Sequence, residues 1–411
     1  MKMHLRLDRT MYGPQGGSRH LWVRLEVPRT SAPRPRLPLD LALVLDRSGS
    51  MAGEKITLAK KAAADAVQLL RDSDRCALVA YDDEILRAVR SAPVARAQRE
   101  SLLRAIGTID ARGTTDLFGG WMAGAEEIAE SGDGRLRRVL LLTDGIANVG
   151  VTDPDDIVRH VRELAARGVS TTTFGIGRDF DEILVSGMAE AGNGHFYYIE
   201  RGQQIPDYLA GELGELLTIA AKSVTLALRV SPGVRIQNLN GLPMEGAIYQ
   251  LGDLSEGAVI DLCFVLEVAP GSPGPVEVVA ALAWEEAAEQ AARSAQGDVT
   301  LSLGTDAECS AEAPDNEALA LAVRSRAALA RTEAIKLNRR GEYEQAKKVA
   351  GDEASILLAL AGDLAEAREE AEKLQETGEE YAAPMDALAS KHATYDAYMA
   401  RRSRVDPLKP K

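Results

Sequence analysis

The sequence predicts an α/β fold in which a doubly wound, mostly parallel sheet is inserted in a β-sandwich and followed by a C-terminal helical region. Three observations predict it. Apolar strand patterns alternate with helical patterns over residues 38–220, as in sheets with crossover helices. Short strand patterns separated by Pro and Gly turns fill residues 221–305. A segment rich in Ala, Glu, Leu and Arg fills residues 315–403.

The α/β segment has strand and helix patterns in the order that a parallel sheet needs. Continuous apolar runs predict the buried strands Leu41–Leu45, Cys76–Tyr81, Val139–Thr143, Val169–Ile176 and His195–Ile199. Apolar residues three or four apart, and caps, predict the helices Gly53–Leu70, Leu117–Glu130, one from Asp153-Pro154, and Asp181–Ala191. Ligands of such sheets bind beyond the carboxyl ends of the strands, so residues there are the candidates for a site.

Strand patterns on both sides of this segment predict the sandwich. Residues 20–27 alternate between apolar and polar side chains, and Pro28, Pro33, Pro35 and Pro38 then break regular structure. The later strand patterns are Val224–Val230, Val234–Leu239, Val259–Val268, Val276–Ala283 and Val299–Leu303. We therefore expect four segments: N-terminal sandwich strands at 1–37, the α/β domain at 38–220, the rest of the sandwich at 221–305 and the helices at 315–403.

The C-terminal segment predicts two or three helices, with breaks near Gly341, at Gly362-Asp363 and near Pro384. Helices with one apolar stripe mostly bury it, which favours a bundle that packs on the sandwich. A helical arm that binds a partner is the other interpretation.

Composition excludes several classes of function. The net charge of the 411 residues is −14 and aromatic residues make up 4%, so neither charge nor stacking favours a nucleic-acid partner. No apolar run is long enough to span a bilayer, and the N-terminus has no apolar stretch of signal-peptide length, so we expect no membrane contact and a cytoplasmic location. Three distant cysteines fit neither a zinc motif nor a disulfide framework; Cys76 and Cys263 are expected to be buried thiols.

Oxygen-bearing side chains follow the ends of predicted strands. Asp46, Ser48 and Ser50 alternate along one turn, Thr115 follows a glycine-containing segment, and Asp144 ends a second apolar strand. Oxygens on alternate residues of a tight turn can face one point, and hard cations such as Mg²⁺ prefer oxygen ligands. Asp46 or Ser50 alone could simply cap the helix that follows, but three such segments together favour a cation site.

These segments, in this order, resemble the metal-ion-dependent adhesion site (MIDAS) of von Willebrand factor A (VWA) domains, which have a Rossmann-like fold. The resemblance covers roughly residues 38–220. It implies direct binding of Mg²⁺, or Mn²⁺, by the hydroxyls and direct or water-mediated binding by the carboxylates. The metal ligands that it implies are Asp46, Ser48, Ser50, Thr115 and Asp144.

Two further features bear on the resemblance. Thr114 stands where the family often has a second glycine, and Leu117, two residues after Thr115, favours Thr115 as the ligand. The layout, with an A domain inserted in a sandwich, is similar to that of inter-alpha-trypsin-inhibitor heavy chains and related bacterial A-domain proteins.

The implied ligands leave the cation under-neutralised and with an open position, which an acidic residue of another protein can fill. We therefore predict a non-enzymatic module that binds a protein partner through the partner's carboxylate; the oligomeric state stays open. The residues include no Gly-x-Ser-x-Gly elbow, no phosphate loop and no histidine among the ligands. The alternatives are an accessory subunit of a chelatase-like or remodelling ATPase and, less favoured, a metal-dependent hydrolase.

Several residues near the proposed site have simpler interpretations. Loops at the same face are expected to hold Met51, Ala52, Asp82, Asp83, Asp116 and Asn148. We expect Asp82 and Asp83 to be solvated loop charges, and Phe118 and Trp121 to be packing residues. His195, with no partner nearby in the sequence, is expected to be a hydrogen-bonded structural histidine, and the five histidines lack ligand spacing.

Overall fold

The computed structural model describes residues 1–29, 36–130, 134–362 and 364–404, with only the backbone of residue 361. Pro33, Pro35 and Asp363, which the sequence analysis places at breaks, lie outside these residues. The described chain divides into two compact units. One contains residues 1–29, 220–286 and 291–404, and the other contains residues 36–219 and 287–290.

The secondary structure begins with three strands and continues with alternating strands and helices. The first three strands are β1 (Lys2–Leu7), β2 (Met11–Tyr12) and β3 (Gly17–Glu26). The α/β unit consists of β4 (Leu39–Asp46), α1 (Glu54–Leu69), β5 (Arg75–Tyr81), β6 (Ile85–Pro93), α2 (Arg96–Gly107), α3 (Leu117–Ala129), β7 (Leu136–Thr143), α4 (Pro154–Ala166), β8 (Val169–Ile176), α5 (Glu182–Ala191), β9 (Phe196–Ile199) and α6 (Ile205–Leu216).

In the residues that the structure describes, the α/β unit is built on a sheet of six strands in the order β6-β5-β4-β7-β8-β9. All neighbours in it are parallel except the edge strand β6, which runs antiparallel to β5. Leu41 and Leu43 of β4 pack into one core with α1 and α6, while Ala42 and Val44 pack into another with α3 and α4. Because each face of the sheet is covered, the strands are apolar throughout, and the predicted doubly wound fold is confirmed.

The predicted helix starts are capped as the sequence indicates. Asp153 caps α4 by accepting a hydrogen bond from the N–H of Asp156, and Asp181 caps α5 in the same way. Among the strands and α-helices of the described α/β unit, three were not predicted: β6, α2 and α6. β6 is partly exposed along most of its length, which leaves no continuous apolar run to recognise.

The second unit contains the sandwich. Its later strands are β10 (Ile219–Val230), β11 (Val234–Asn238), β12 (Met244–Glu245), β13 (Ile248–Ser255), β14 (Val259–Val268), β15 (Val276–Glu286) and β16 (Ala291–Leu303). The two sheets have the orders β1-β3-β14-β11 and β12-β13-β10-β15-β16-β2. β3 and β14 pair over ten residues each, so strands from both ends of the α/β segment share a sheet. Side chains such as Val23, Phe264, Leu226 and Leu282 fill the core between the sheets.

In the described residues five helices follow: α7 (Asp306–Ala311), α8 (Asn316–Arg339), α9 (Tyr343–Ala361), α10 (Ala365–Glu380) and α11 (Ala387–Arg401). Four of them, α8 to α11, lie in the segment 315–403, where two or three were expected. α8 packs against the other long helices and also against the sandwich, where Ala318 and Leu321 share one apolar cluster with Trp22 and Cys263. This packing favours the bundle over a free arm. In the part of the chain that the structure describes, no helix is both long and apolar enough to cross a membrane.

The two thiols expected in the core are there. Cys76 lies in β5 and Cys263 in β14, and both are buried and free. Burial raises the pKa of each thiol far above its ordinary value, so neither is a reactive thiolate at neutral pH.

Candidate functional site

The first part of the candidate site is the turn that follows β4. This strand is buried along its whole length, and Asp46 is its last residue. The Asp46 carboxylate accepts a hydrogen bond at 2.8 Å from the backbone N–H of Ser48. An aspartate that binds the chain two residues further on holds a turn closed. Asp46 therefore keeps a fixed position where the chain leaves the sheet.

Hydroxyl groups connect this turn to the end of β7. Ser48 Oγ lies 3.1 Å from Ser50 Oγ, and Ser50 Oγ donates a hydrogen bond to Asp144 Oδ1 at 2.7 Å. Thr143, the last residue of β7, donates from Oγ1 to Asp46 Oδ2 at 2.7 Å. Since β4 and β7 are parallel neighbours, their carboxyl ends bring Asp46 and Asp144 together.

Thr115 lies beside this group. Its N–H donates to Asn148 Oδ1 at 3.0 Å, and its carbonyl accepts from the N–H of Asn148 at 3.2 Å. A Cβ on Gly145 would stand 2.8 Å from Thr115 Oγ1, so the hydroxyl lies against the residue that follows Asp144. Within the described residues, Thr115 joins the group through Gly145 and not through a hydrogen bond to the serines or aspartates. Thr114 is exposed.

The group opens to solvent on one side. Asp46, Ser48, Thr115 and Asp144 are buried, whereas Ser50 is exposed. A cation or a side chain from another molecule can therefore approach at Ser50. The structure thus brings together the residues that the sequence selected, with Ser50 at the surface.

Asp46 carries the least compensated charge of the group. Burial raises its pKa to about 6, although hydrogen bonds from Ser48 and Thr143 act in the opposite direction, and nearby Asp144 raises it further. Among the described residues, no lysine, arginine or histidine forms an ion pair with Asp46. A buried carboxylate without a cationic partner is costly, so this position favours a bound cation.

Lys55, which the sequence analysis did not single out, binds the other carboxylate. It is the second residue of α1, its Nζ donates to Asp144 Oδ2, and its side chain is 28% exposed. The Nζ also lies near Gly177 at the end of β8, where a Cβ would be 3.3 Å away. The available signal was its place in the first turn of the helix that follows Ser50, since side chains there face the carboxyl ends of the strands.

Asp82 corrects one expectation, because it is not a solvated loop charge. Its carboxylate is fully buried and accepts hydrogen bonds from Arg47 Nη2 at 3.1 Å and Arg112 Nε at 2.7 Å. Burial acts to raise the pKa of Asp82, but the N–H of Glu84 and the two guanidinium groups outweigh it and lower the pKa. Asp83 is exposed, as expected. Asp82 therefore fixes the loops that carry the site.

The other residues expected at this face support its loops or its core. Asp116 accepts a hydrogen bond from the N–H of Gly119 and caps α3, and Met51 is buried while Ala52 is exposed. Trp121 is buried and donates from Nε1 to Thr171 Oγ1 at 3.0 Å, with Phe118 packed beside it. Both aromatic residues are packing residues, as predicted.

His195 has partners that the sequence analysis missed. Its Nδ1 lies 2.7 Å from Glu212 Oε2 and 3.8 Å from Glu215 Oε2. Both glutamates lie on α6, which was not predicted, and no local spacing connects them to His195. This cluster shares no residue with the group around Asp46.

Comparison with protein-family models matches residues 40–210 to the von Willebrand factor type A domain. Among curated proteins, the uncharacterized protein YfbK of Escherichia coli is 29% identical over 245 residues, which cover 55% of this chain and 41% of YfbK. Human inter-alpha-trypsin inhibitor heavy chain H4 is 27% identical over 160 residues, which cover 37% of this chain and 17% of H4. The chain thus spans less than half the length of these relatives.

Solved structures match nearly the whole chain. A von Willebrand factor type A protein from Catenulispora acidiphila has a TM-score of 0.72 and 18% identity, covering 98% of this chain and 97% of that one. The ArnB paralog VWA2 from Sulfolobus acidocaldarius has a TM-score of 0.66 and 16% identity, with 98% of each chain covered. These likenesses establish the fold. The family match supports a von Willebrand factor type A domain at residues 40–210, a domain that typically mediates protein–protein interactions.

Proposed function

We propose that this protein is a non-enzymatic interaction module whose A domain binds an acidic residue of a partner protein through Mg²⁺ or Mn²⁺. Asp46, Ser48, Ser50, Thr115 and Asp144 would hold the cation. The observation that carries the proposal is the convergence of the Ser48, Ser50 and Asp144 oxygens beside Asp46, a buried carboxylate with no cationic partner in the described residues. Thr115 Oγ1 lies against Gly145, the residue after Asp144.

The chemistry of the donors fits a hard divalent cation. Hydroxyl and carboxylate oxygens are the ligands that Mg²⁺ and Mn²⁺ take in proteins, and the group contains neither sulfur nor imidazole. The bound cation would act as a Lewis acid with a position open to solvent.

The local charge also favours an acidic partner. Asp46 and Asp144 contribute two negative charges, and Lys55 already compensates one of them. A divalent cation would leave this neighbourhood positive, and a carboxylate from another protein would restore neutrality. The exposed Ser50 marks the side from which that carboxylate would approach.

Calorimetric titration with Mg²⁺ and Mn²⁺ tests the metal. We expect the wild type to bind one ion, and Asp144→Asn and Ser50→Ala to bind it at least about tenfold more weakly. Asp83→Asn is the matched control, because it removes an exposed carboxylate from a loop at the same face. Equal titration curves for Asp144→Asn, Ser50→Ala and Asp83→Asn would refute the metal site.

The partner is tested separately, by affinity capture in Mg²⁺ and in chelator. A specific partner should be retained in Mg²⁺ by the wild type and by Asp83→Asn, and lost both with chelator and with Asp144→Asn. Equal retention of the partner in Mg²⁺ and in chelator would refute metal-dependent recognition, even if the ion binds.

A further inference from the structure

The cluster of His195, Glu212 and Glu215 carries a second inference about the A domain. His195 directly precedes β9, and the two glutamates are three residues apart on α6, which puts them on one face of the helix. One ligand atom from each residue lies within 4.8 Å of the other two. The three side chains therefore converge on one point.

Glu212 is held in place by groups outside the cluster. Its Oε1 accepts a hydrogen bond from Thr172 Oγ1 at 2.7 Å and lies 3.7 Å from Arg138 Nη1, while its Oε2 accepts from the Tyr197 hydroxyl at 2.9 Å. Burial acts to raise the pKa of Glu212, but His195 and Arg138 outweigh it, so the pKa is lowered and the group is a carboxylate. Hydrogen bonds that orient a carboxylate in this way are typical of metal ligands.

The exposure of the three residues is graded. Glu212 is fully buried, whereas the side chains of His195 and Glu215 are 23% and 39% exposed. One ligand is thus fixed inside the domain and two stand at the surface. An ion from solvent can reach the cluster and keep positions for water or another ligand.

The mixture of donors differs from that around Asp46. One imidazole nitrogen with two carboxylate oxygens suits Zn²⁺ and similar transition-metal ions better than Mg²⁺, which prefers oxygen alone. We propose that His195, Glu212 and Glu215 form a second metal site in the A domain, which binds a transition-metal ion of the zinc class. Binding through Nδ1 requires the lone pair of that nitrogen. A proton on Nδ1 would therefore be lost to solvent from the charged ring, or be moved to Nε2 in the neutral ring, as the ion enters.

The proposal is tested on the full chain, with Mg²⁺ in excess and in the Asp46→Asn background, so that ions bound at the first group do not contribute. Zn²⁺ is titrated against a chromophoric chelator, and Co²⁺ is used as a spectroscopic probe of the ligands. We expect one bound ion, visible absorption from the cobalt form, and affinity reduced about tenfold or more in His195→Gln and in Glu215→Gln.

A matched control is available on α4, where His160 Nδ1 lies 3.9 Å from Glu163 Oε2. His160→Gln removes a surface histidine–glutamate pair whose spacing is similar to the 3.8 Å between His195 and Glu215, and it should leave Zn²⁺ affinity unchanged. Glu215→Gln changes a partly exposed side chain and keeps the test valid if His195→Gln fails to fold. Absence of Zn²⁺ binding by the Asp46→Asn protein, or equal affinity in Glu215→Gln and His160→Gln, would overturn the proposal. Neither result would bear on the proposed site around Asp46.

Discussion

The A domain and the unit built from the sandwich and helices differ in how many carboxylates they bury. Among the described residues, the buried carboxylates of the A domain are Asp40, Asp46, Asp74, Asp82, Asp144, Glu182 and Glu212, whereas the other unit buries Asp8 alone. Burying a charge costs free energy unless a partner compensates it. The A domain therefore depends on matching its buried charges, and the other unit depends mainly on apolar packing.

The partners of these carboxylates distinguish the structural carboxylates from those of the candidate site. Asp8 binds His20 Nδ1 at 2.7 Å and two backbone N–H groups, which is a closed structural arrangement. Asp82 is likewise compensated, by ion pairs with Arg47 and Arg112. Asp46 has no cationic partner in the described residues, and Asp144 has a single lysine that reaches solvent. Around Asp46, an unmatched buried charge, more than burial itself, therefore marks the candidate site.

The largest expected effect comes from breaking a matched charge. Asp82→Asn leaves Arg47 buried beside a neutral group and should reduce the free energy of unfolding of the A domain by about 3 kcal/mol. The pKa of Asp82 is lowered in the folded state, so its contribution is complete above its ordinary value of 3.8 and is lost as the pH falls. Hydrogen exchange of β5 peptides in urea at pH 7, and at pH values below 4, measures both effects.

The matched change in the other unit is Asp261→Asn. Asp261 accepts from Arg24 Nε at 2.7 Å and Nη2 at 3.0 Å, but its side chain is 21% exposed and that of Arg24 is 38% exposed. Solvent screens this pair, so the loss should be about 1 kcal/mol, measured by hydrogen exchange of β14 peptides. Equal losses for the two variants would contradict the difference between the units.

Replacing Asp46 is expected to change stability in the opposite direction, towards a more stable domain. Its pKa of about 6 is raised in the folded state, so folding binds a proton and the metal-free domain loses stability as the pH rises from about 4 to 6. At pH 7 in chelator, Asp46→Asn should therefore be more stable than the wild type, by about 2 kcal/mol. Thermal unfolding in chelator at pH 7 and pH 4.5 measures this.

The gain should shrink at the lower pH, where Asp46 is protonated in the folded wild type. Adding Mg²⁺ should stabilise the wild type and leave Asp46→Asn unchanged. A variant that is less stable than the wild type in chelator at pH 7 would show that the Asp46 charge is compensated after all.

Substitution of Lys55 is expected to have the next largest effect, on Mg²⁺ affinity. Because its Nζ binds Asp144 and adds a positive charge to the candidate site, it opposes a cation there. Lys55→Met should raise Mg²⁺ affinity by about tenfold, measured by calorimetry. Lys61→Met removes the same charge from an exposed position on α1 and should change the affinity little. A weaker Mg²⁺ affinity in Lys55→Met would mean that the lysine supports the ion.

The residues of the candidate site could be selected from the sequence because most of them follow strand ends. Parallel strands place their carboxyl ends at one edge, so Asp46 and Asp144 could be brought together without knowing any contact. Ser48 and Ser50 are close to Asp46 in the chain. Thr115 was selected as a hydroxyl that follows a glycine, with Leu117 two residues later. The mostly parallel fold followed from the same alternation of patterns.

What the sequence could not supply are contacts between segments that no periodicity relates. Arg47 and Asp82 are 35 residues apart, and Glu212 is 17 residues from His195 on a helix without a recognised pattern. A charged side chain that is buried by such a contact can have the same neighbouring sequence as one in solvent. This is why Asp82 was expected to be solvated. The pairing becomes visible only once the sheet sets the distances.

The smallest expected effect tests Thr115, whose link to the group is the least direct. In Gly145→Ala the new Cβ would stand 2.8 Å from Thr115 Oγ1 and 3.4 Å from its Cγ2, so the hydroxyl must move by a few tenths of an ångström. If Thr115 is a ligand, Mg²⁺ affinity should fall by about threefold while the unfolding temperature changes little. Gly107→Ala, where an added Cβ meets nothing within 4 Å, is the control for the substitution itself. Unchanged affinity in Gly145→Ala would remove Thr115 from the ligands and leave the charges of Asp46 and Asp144 as the basis of cation binding.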